Sequence, residues 1–186
     1  MRRAGFVAIA ACAAALSIAA GATATPAARQ TSPTAWAHTV CTSVVAWNKN
    51  ITKRAAGLSG VNGRDVAGVK TKLVAFLSGV VTDTQTLIST IDKAGTPSGP
   101  HGADTARALH QGLSQTKSFF ALDVAKAKKL PTKPAAKFAA GAGALGRSID
   151  AQGSKIGTIF SQLAKKYPSP ALDKAMKTDP SCKALG

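Results

Sequence analysis

Four long segments of this chain repeat apolar residues at intervals of three and four, and no segment alternates strictly as a strand does. That spacing places the apolar side chains on one face of a helix. We therefore predict helices over residues 33–58, 63–94, 103–130 and 134–166, followed by a short helix over residues 171–177. Ser32 and Ser169, each followed by proline, are predicted N-caps, and Asn62 with Asp65 resembles a capping box.

The connections between the four segments are short, so consecutive helices should lie antiparallel beside each other. The predicted fold is all-α, an up-down-up-down four-helix bundle with rods of about 40 Å and a short C-terminal helix. The stretch GAGALG, Gly141 to Gly146, lies inside the fourth segment, where it either lets a neighbouring helix approach closely or breaks the helix. Aromatic residues at helical spacing are predicted to fill the core: Trp36, Trp47, Phe119, Phe120, Phe138 and Phe160.

The first 24 residues have the three parts of a secretory signal peptide. Arg2 and Arg3 form the positive region, Phe6 to Ala20 form the apolar region, and small residues ending at Ala24 form the cleavage site. The protein is therefore expected to be exported, and to be either secreted or associated with the cell envelope.

Several points about the leader stay open. Cleavage after Ala28 is an alternative to cleavage after residue 24, and a transmembrane anchor is an alternative to a cleaved leader. The residues from Ile9 to Cys12 resemble a lipoprotein processing site, and processing at Cys12 would anchor the protein to the membrane. With the leader removed, we expect residues 25–32 to be a flexible N-terminus and residues 33–186 to be one helical domain without a further transmembrane span.

Two cysteines remain after the leader, Cys41 near the start of the first helix and Cys182 near the end of the chain. An even pair in an exported protein indicates a disulfide, because the environment is oxidising. In the predicted topology the start of the first helix and the end of the fourth lie at the same end of the bundle. A Cys41–Cys182 bridge would therefore clasp the two ends of the chain together.

Lysines and arginines number 24, against eight aspartates and no glutamate, and the formal net charge is +16. The turn between the first two helices and the turn between the last two should lie at the end away from the disulfide. Asp65 and Asp123 are the nearby acids in the sequence. The cations of these turns form a predicted anion-binding patch: Lys53, Arg54, Arg64, Lys126, Lys128, Lys129, Lys133 and Lys137.

Two interpretations of this patch compete. It is a solvated face, as charge runs usually are, or it docks on anionic lipid head groups, phosphate-bearing wall polymers or acidic proteins. Lysine favours diffuse attraction over the bidentate recognition that arginine gives. Charge alone would bind nucleic acid in vitro, but no aromatic residue lies among the lysines to stack bases, so no specific nucleic-acid partner is expected. The sequence does not indicate an oligomeric state.

Residues that carry catalysis are sparse. No two aspartates are three or four positions apart, and no GxSxG motif occurs, so we assign no catalytic residues. His38, His101 and Asp104 are conceivable metal ligands but lack HxxxH or CxxC spacing, so we predict neither a metal site nor a cofactor. A haem would need His38, His110 or Tyr167 as its axial ligand.

These patterns favour an exported, non-enzymatic helical module that binds anionic cell-envelope surfaces through the lysine-rich end. The alternative is an extracytoplasmic carrier that holds a hydrophobic or haem-type ligand within the bundle. A hydrolase of uncharacterised type is the third interpretation.

Overall fold

The computed structural model describes residues 29–58 and 65–185, apart from the side chains of residues 153–157, 159–160 and 164. Six helices lie in this part of the chain: α1 (Pro33–Ala56), α2 (Val66–Ala94), α3 (Gly102–Lys129), α4 (Ala135–Lys166), α5 (Pro170–Thr178) and α6 (Pro180–Lys183). The predicted all-helical class is confirmed, with helix boundaries shifted by up to three residues. The predicted leader, Cys12, the cleavage positions after Ala24 and Ala28, and Asn62 and Arg64 lie outside the described residues.

The helix starts follow the predicted caps only in part. The Ser32 hydroxyl accepts a hydrogen bond from the first turn of α1, as predicted. Helix α2 begins three residues later than predicted, because its N-cap is Asp65 rather than Asn62, and the Asp65 carboxylate accepts from the amide of Gly68 at 2.8 Å. Ser169 occupies the N-cap position of α5, with Pro170 after it, as predicted, but its side chain makes no capping hydrogen bond.

A short strand pair joins the start of the described chain to the end of α2. Strand β1 (Gln30–Thr31) pairs in parallel with β2 (Thr96–Pro97), and the Thr31 hydroxyl donates to the last carbonyl of α2. Gly95 between α2 and β2 has a φ of 76°, and a side chain there would collide with the carbonyl oxygen of Arg29. A two-residue strand is too short to alternate visibly, so the sequence does not predict this pair.

Helix α2 packs against α1 and α3, helix α4 packs against α3, and α5 and α6 pack against α1. Two apolar clusters fill the interior. The larger lies at the disulfide end and joins α1, α2, α3 and α5 through Trp36, Ala37, Val40, Leu87, Ile88, Ile91, Leu109, Leu113, Leu172 and Ala175. The smaller joins α2, α3 and α4 through Leu77, Ala127 and Leu145. Trp36, Phe120 and Phe138 are buried as predicted, and Phe160 lies among the side chains that are not described.

Helix α4 continues without a break through its glycines. A Cβ atom built at Gly141 would lie 2.5 Å from Cδ2 of Leu130, so this glycine allows Leu130 to pack close to α4. No described heavy atom lies within 4 Å of a Cβ built at Gly146. Of the two interpretations of GAGALG, close approach therefore applies, and it applies at Gly141.

The predicted Cys41–Cys182 disulfide is present, with Cα atoms 4.9 Å apart. Cys41 is buried in α1, and the Met176 sulfur of α5 lies 3.8 Å from its Sγ. The bridge fixes α6 to the first half of α1. Helix α5, which precedes α6, packs on α1 and contributes Leu172 to the larger cluster.

Helix α2 is long and apolar enough to cross a membrane by length and composition alone. It also supplies Leu77, Val80, Leu87, Ile88 and Ile91 to the buried interior and packs against two other helices. Those contacts are what a core helix makes.

Removing the disulfide should destabilise the protein substantially. The two cysteines are 141 positions apart, and closing so long a loop restricts the unfolded chain by about 5 kcal/mol in the chain-entropy model. In a chain starting at Thr25, Cys41→Ser with Cys182→Ser should lower the free energy of unfolding by about 2–5 kcal/mol, measured by urea denaturation. Reduction of the unaltered chain should give the same loss. A loss below about 1 kcal/mol would contradict the predicted stabilisation by the disulfide.

Two glycines of α4 should respond oppositely to alanine. Gly146→Ala adds a methyl group in open space and should raise the free energy of unfolding by about 0.5–1 kcal/mol. Gly141→Ala should gain less or lose stability, because Leu130 must move to accept the methyl group. Thermal and urea unfolding of both variants checks this. Equal gains at the two positions would show that Leu130 yields without cost.

Candidate functional site

The predicted cations fall on three elements. Lys53 and Arg54 lie in the last turn of α1, and Lys133 lies in the turn before α4. Lys126, Lys128 and Lys129 form the last turn of α3, where the helix dipole favours positive charge, and Lys137 lies in the first turn of α4, where it does not. We call the segment from Lys126 to Lys137 the lysine-rich end.

This end lies far from the disulfide. Trp36 Nε1 donates to the carbonyl of Gly95 at one end of α2, while Lys70 Nζ donates to the carbonyl of Leu130 near its other end. The 25 residues from Lys70 to Gly95 correspond to about 37 Å of helix. The contact of Lys70 also shows that the start of α2 and the turn between α3 and α4 are neighbours.

Two of the predicted cations are neutralised by aspartates. Arg54 binds Asp83 of α2 through two hydrogen bonds, of 2.5 and 3.0 Å, and this bonding raises the pKa of the Arg54 guanidinium despite some desolvation. Lys126 Nζ lies 3.1 Å from Asp123, whose side chain is fully buried and also accepts from Gln152. The Arg54 pair joins α1 to α2, whereas the Lys126 pair lies within α3, and both cations add little charge to an anion-binding surface.

The other cations of the predicted patch that the structure describes, which leaves out Arg64, are exposed. Within the described ranges, no carboxylate forms an ion pair with any of them: Lys53, Lys128, Lys129, Lys133 and Lys137. The sequence pattern overstates the usable charge because it does not reveal that Arg54 pairs with Asp83 and Lys126 with Asp123.

A second group of lysines lies at the opposite end of the helices. Its exposed members are Lys165, Lys166, Lys174, Lys177 and Lys183. The sequence pattern does not single them out, because they are scattered over three helices and interleaved with Asp173 and Asp179. Positive charge is therefore present at both ends, and charge alone does not distinguish the lysine-rich end.

An apolar groove does distinguish it. The groove has a volume of about 600 Å³ and runs between the start of α2 and the first half of α4. It is lined by Leu58, by Val66, Val69 and Leu73 of α2, and by one face of α4 from Ala135 to Ile149. Apolar spacing alone predicts that these helix faces pack closely in the bundle, so the sequence does not predict the groove.

The groove exists because its α4 wall is built largely from small residues, Ala135, Ala136, Ala139, Ala142 and Gly146. Phe138 and Leu145 turn into the interior and are buried, whereas the alanines leave the facing valines and leucines of α2 without full contact. The signal in the sequence is the run AAKFAAGAGALG, in which the apolar stripe has too little volume to fill the space beside another helix.

The three histidines form three separate pairs with aspartates. His38 lies 2.9 Å from Asp179, His110 lies 2.8 Å from Asp92, and His101 lies 3.9 Å from Asp104. Across residues 29–58 and 65–185, no three histidine, cysteine or acidic side chains come together as a metal-binding group.

The conceivable haem ligands are likewise separate from the groove. His38 and His110 are engaged by aspartates, and the Tyr167 ring packs 6.3 Å from the ring of His101. None of the three is among the described residues that line the groove.

Asp179 organises the disulfide end. Its carboxylate accepts hydrogen bonds from His38 and from the amides of Ser181 and Cys182, which caps α6. These bonds, that from His38 foremost, lower the pKa of Asp179 against the opposing effect of desolvation. The Asp179 carboxylate thus supports the segment that carries Cys182.

Comparison with known proteins finds no family, no curated protein and no solved structure that matches this chain.

The Asp179 interactions predict sensitivity to acid. A carboxylate whose pKa is lowered by folding stabilises the folded state above its unfolded pKa of about 3.9, and this contribution disappears as the pH falls through the lowered value. Urea unfolding between pH 6 and about pH 3 should therefore show a loss of stability below about pH 4 that Asp179→Asn reduces. Asparagine still caps α6, so the variant isolates the charge.

Asp173→Asn is the matched control, because it removes the same charge from the exposed first turn of α5. It should retain the acid-dependent loss. If Asp179→Asn and Asp173→Asn give the same pH profile, the His38–Asp179 pair contributes nothing specific to this end of the protein.

Proposed function

We propose that this protein is an exported, non-enzymatic helical module that docks on anionic cell-envelope surfaces through its lysine-rich end. The observation that carries the proposal is the combination, at one end of the helices, of exposed lysines without a carboxylate partner in the described chain and of the apolar groove beside them. Phosphate groups of lipids or of wall polymers are the shared chemistry that such a surface attracts.

We infer further that the four long helices form an up-down-up-down bundle. Helix α4 supports this, because Leu145 and Ile149 near its start pack with the smaller cluster and Leu163 near its end packs with the larger one. The contact between Lys70 and Leu130 supports it at the lysine-rich end. This topology would present the lysines at one tip, away from the disulfide.

Export is supported by the leader-like first 24 residues and by the disulfide, since disulfides persist mainly in oxidising compartments. A disulfide-clasped module with an exposed cationic tip suits the outside of a membrane whose lipids or wall polymers carry phosphate.

The magnitude of the attraction is modest. Each lysine near an anionic membrane contributes about 1 kcal/mol, so five exposed lysines give about 5 kcal/mol. Free energies of about 4 and 8 kcal/mol correspond to millimolar and micromolar dissociation constants. Charge alone would therefore give weak, reversible and salt-sensitive docking.

The second candidate is a carrier of a hydrophobic ligand, and the groove is the observation that favours it. Its volume of about 600 Å³ falls within the range of small-molecule sites. The haem version gains no support, since its conceivable axial ligands lie off the described lining. A hydrolase likewise has no observation in its favour within the described chain.

Replacing four lysines of the tip should weaken docking. The variant is Lys128→Gln, Lys129→Gln, Lys133→Gln and Lys137→Gln, and it spares Lys126 because that lysine partners the buried Asp123. At low salt, the affinity for vesicles containing phosphatidylglycerol, measured by sedimentation, should fall about fivefold for each charge removed. The melting temperature should change little. The same protein should be tested on purified wall polymer.

The matched control removes four charges from the opposite end, through Lys165→Gln, Lys166→Gln, Lys174→Gln and Lys177→Gln. This variant should keep most of its binding. Equal weakening of both variants would mean that only net charge matters. Equal sedimentation of the unaltered protein with neutral vesicles would remove the proposal.

A further inference from the structure

We propose that the groove between α2 and α4 binds one acyl chain of an anionic membrane lipid, while Lys133 and Lys137 hold its phosphate head group. The inference rests on the proposed function, because it names the chemical class that the lysine-rich end recognises. It also makes the groove and the lysines two parts of one site.

The groove has the dimensions of a single chain. From Ala135 to Ile149 the α4 wall spans 15 residues, which corresponds to about 21 Å between its ends. Half of a bilayer's hydrocarbon core is about 15 Å thick, so one acyl chain fits along this wall. The α4 wall offers the side chains of alanines and of Ile149 and the bare backbone at Gly146, above the buried Phe138 and Leu145, and the α2 wall offers valine and leucine. A hydrocarbon chain is the ligand that such a lining contacts best.

The charge around the groove is positive at one end. Along the chain, Lys133 and Lys137 flank Ala135 and Ala136, the first lining residues of α4, so both exposed lysines lie near the end of the groove next to the α3–α4 turn, outside its lining. The nearest carboxylate along α2 is Asp65, which is engaged in capping that helix through Gly68. A ligand with an apolar tail and an anionic head therefore matches both parts, whereas a neutral apolar ligand would leave the lysines unused.

The location also agrees with surface docking. The groove lies beside the turn that would face an anionic membrane, so a lipid chain could enter it when the lysines meet the head groups. One weak attraction alone gives only transient membrane binding, and two combined signals give stable anchoring. The exposed lysines supply an electrostatic attraction, and the groove supplies an apolar one.

A larger side chain at Gly146 can fill the groove without disturbing the fold. Gly146 lines the groove, and a Cβ there meets open space, so Gly146→Leu occupies the lipid's position and also replaces a helix-weakening glycine. Gly143 lies on the same helix, is exposed and is not among the lining residues, so Gly143→Leu is the matched control. Both variants should melt at or above the temperature of the unaltered protein.

The probes are monoacyl phosphatidylglycerols with 12, 14 and 16 carbons, measured by calorimetry below their micelle concentrations. Monoacyl phosphatidylcholine with the same chains tests the head group. The unaltered protein should bind the anionic probes, and each methylene removed from the buried chain should weaken binding up to about fourfold. Gly146→Leu should lose binding at least tenfold, Gly143→Leu should retain it, and Lys133→Gln with Lys137→Gln should weaken it about tenfold or more.

Affinity that ignores chain length or head-group charge, or that survives Gly146→Leu, overturns the inference. So does a lipid-free dimer, seen by native mass spectrometry, that Gly146→Leu dissociates, because a second copy would then occupy the groove. Vesicle docking without any binding of the monoacyl probes overturns the acyl-chain site and leaves the proposed function standing. Probe binding without vesicle docking supports the site and overturns surface docking.

Discussion

The burial of the apolar face of α2 holds the rest of this structure together. Ile88 and Ile91 pack in the cluster at the disulfide end, and Leu77 packs in the cluster near the lysine-rich end. Helices α1 and α3 pack on α2, and α4 reaches the interior mainly through α3. Because α4 is held on fewer sides than α2, its first half can stand apart from the start of α2, and the groove is the space between them.

The sequence predicts the helices, their approximate ends and the Cys41–Cys182 pairing, because amphipathic periodicity and an even cysteine count are strong local signals. It does not predict that Asp65 caps α2 or that two residues before α1 pair with those after α2. Those features depend on contacts between distant parts of the chain. A capping pattern and a two-residue strand are each compatible with several local structures.

The sequence likewise predicts only part of the candidate site. A lysine cluster is visible in the sequence, but the neutralisation of Arg54 by Asp83 joins two helices that only the fold brings together. The groove results from a mismatch of volume, since alanines of α4 face larger side chains of α2. Periodicity shows that a position is apolar, but it does not show how much space the facing side chains leave. The apolar face of a helix therefore predicts a filled core even where a groove forms.

The two ends of the described chain meet at the disulfide end. The amide of Thr96 donates to the carbonyl of Arg29 at 2.9 Å, and the Sγ of Cys182 lies 3.9 Å from the carbonyl of Ala37. A second domain attached at Arg29 or at Leu185 would consequently lie away from the lysine-rich end by the length of α2, roughly 40 Å. A covalent tether at Arg29 would likewise leave the lysine-rich end on the side of the protein away from the attachment point.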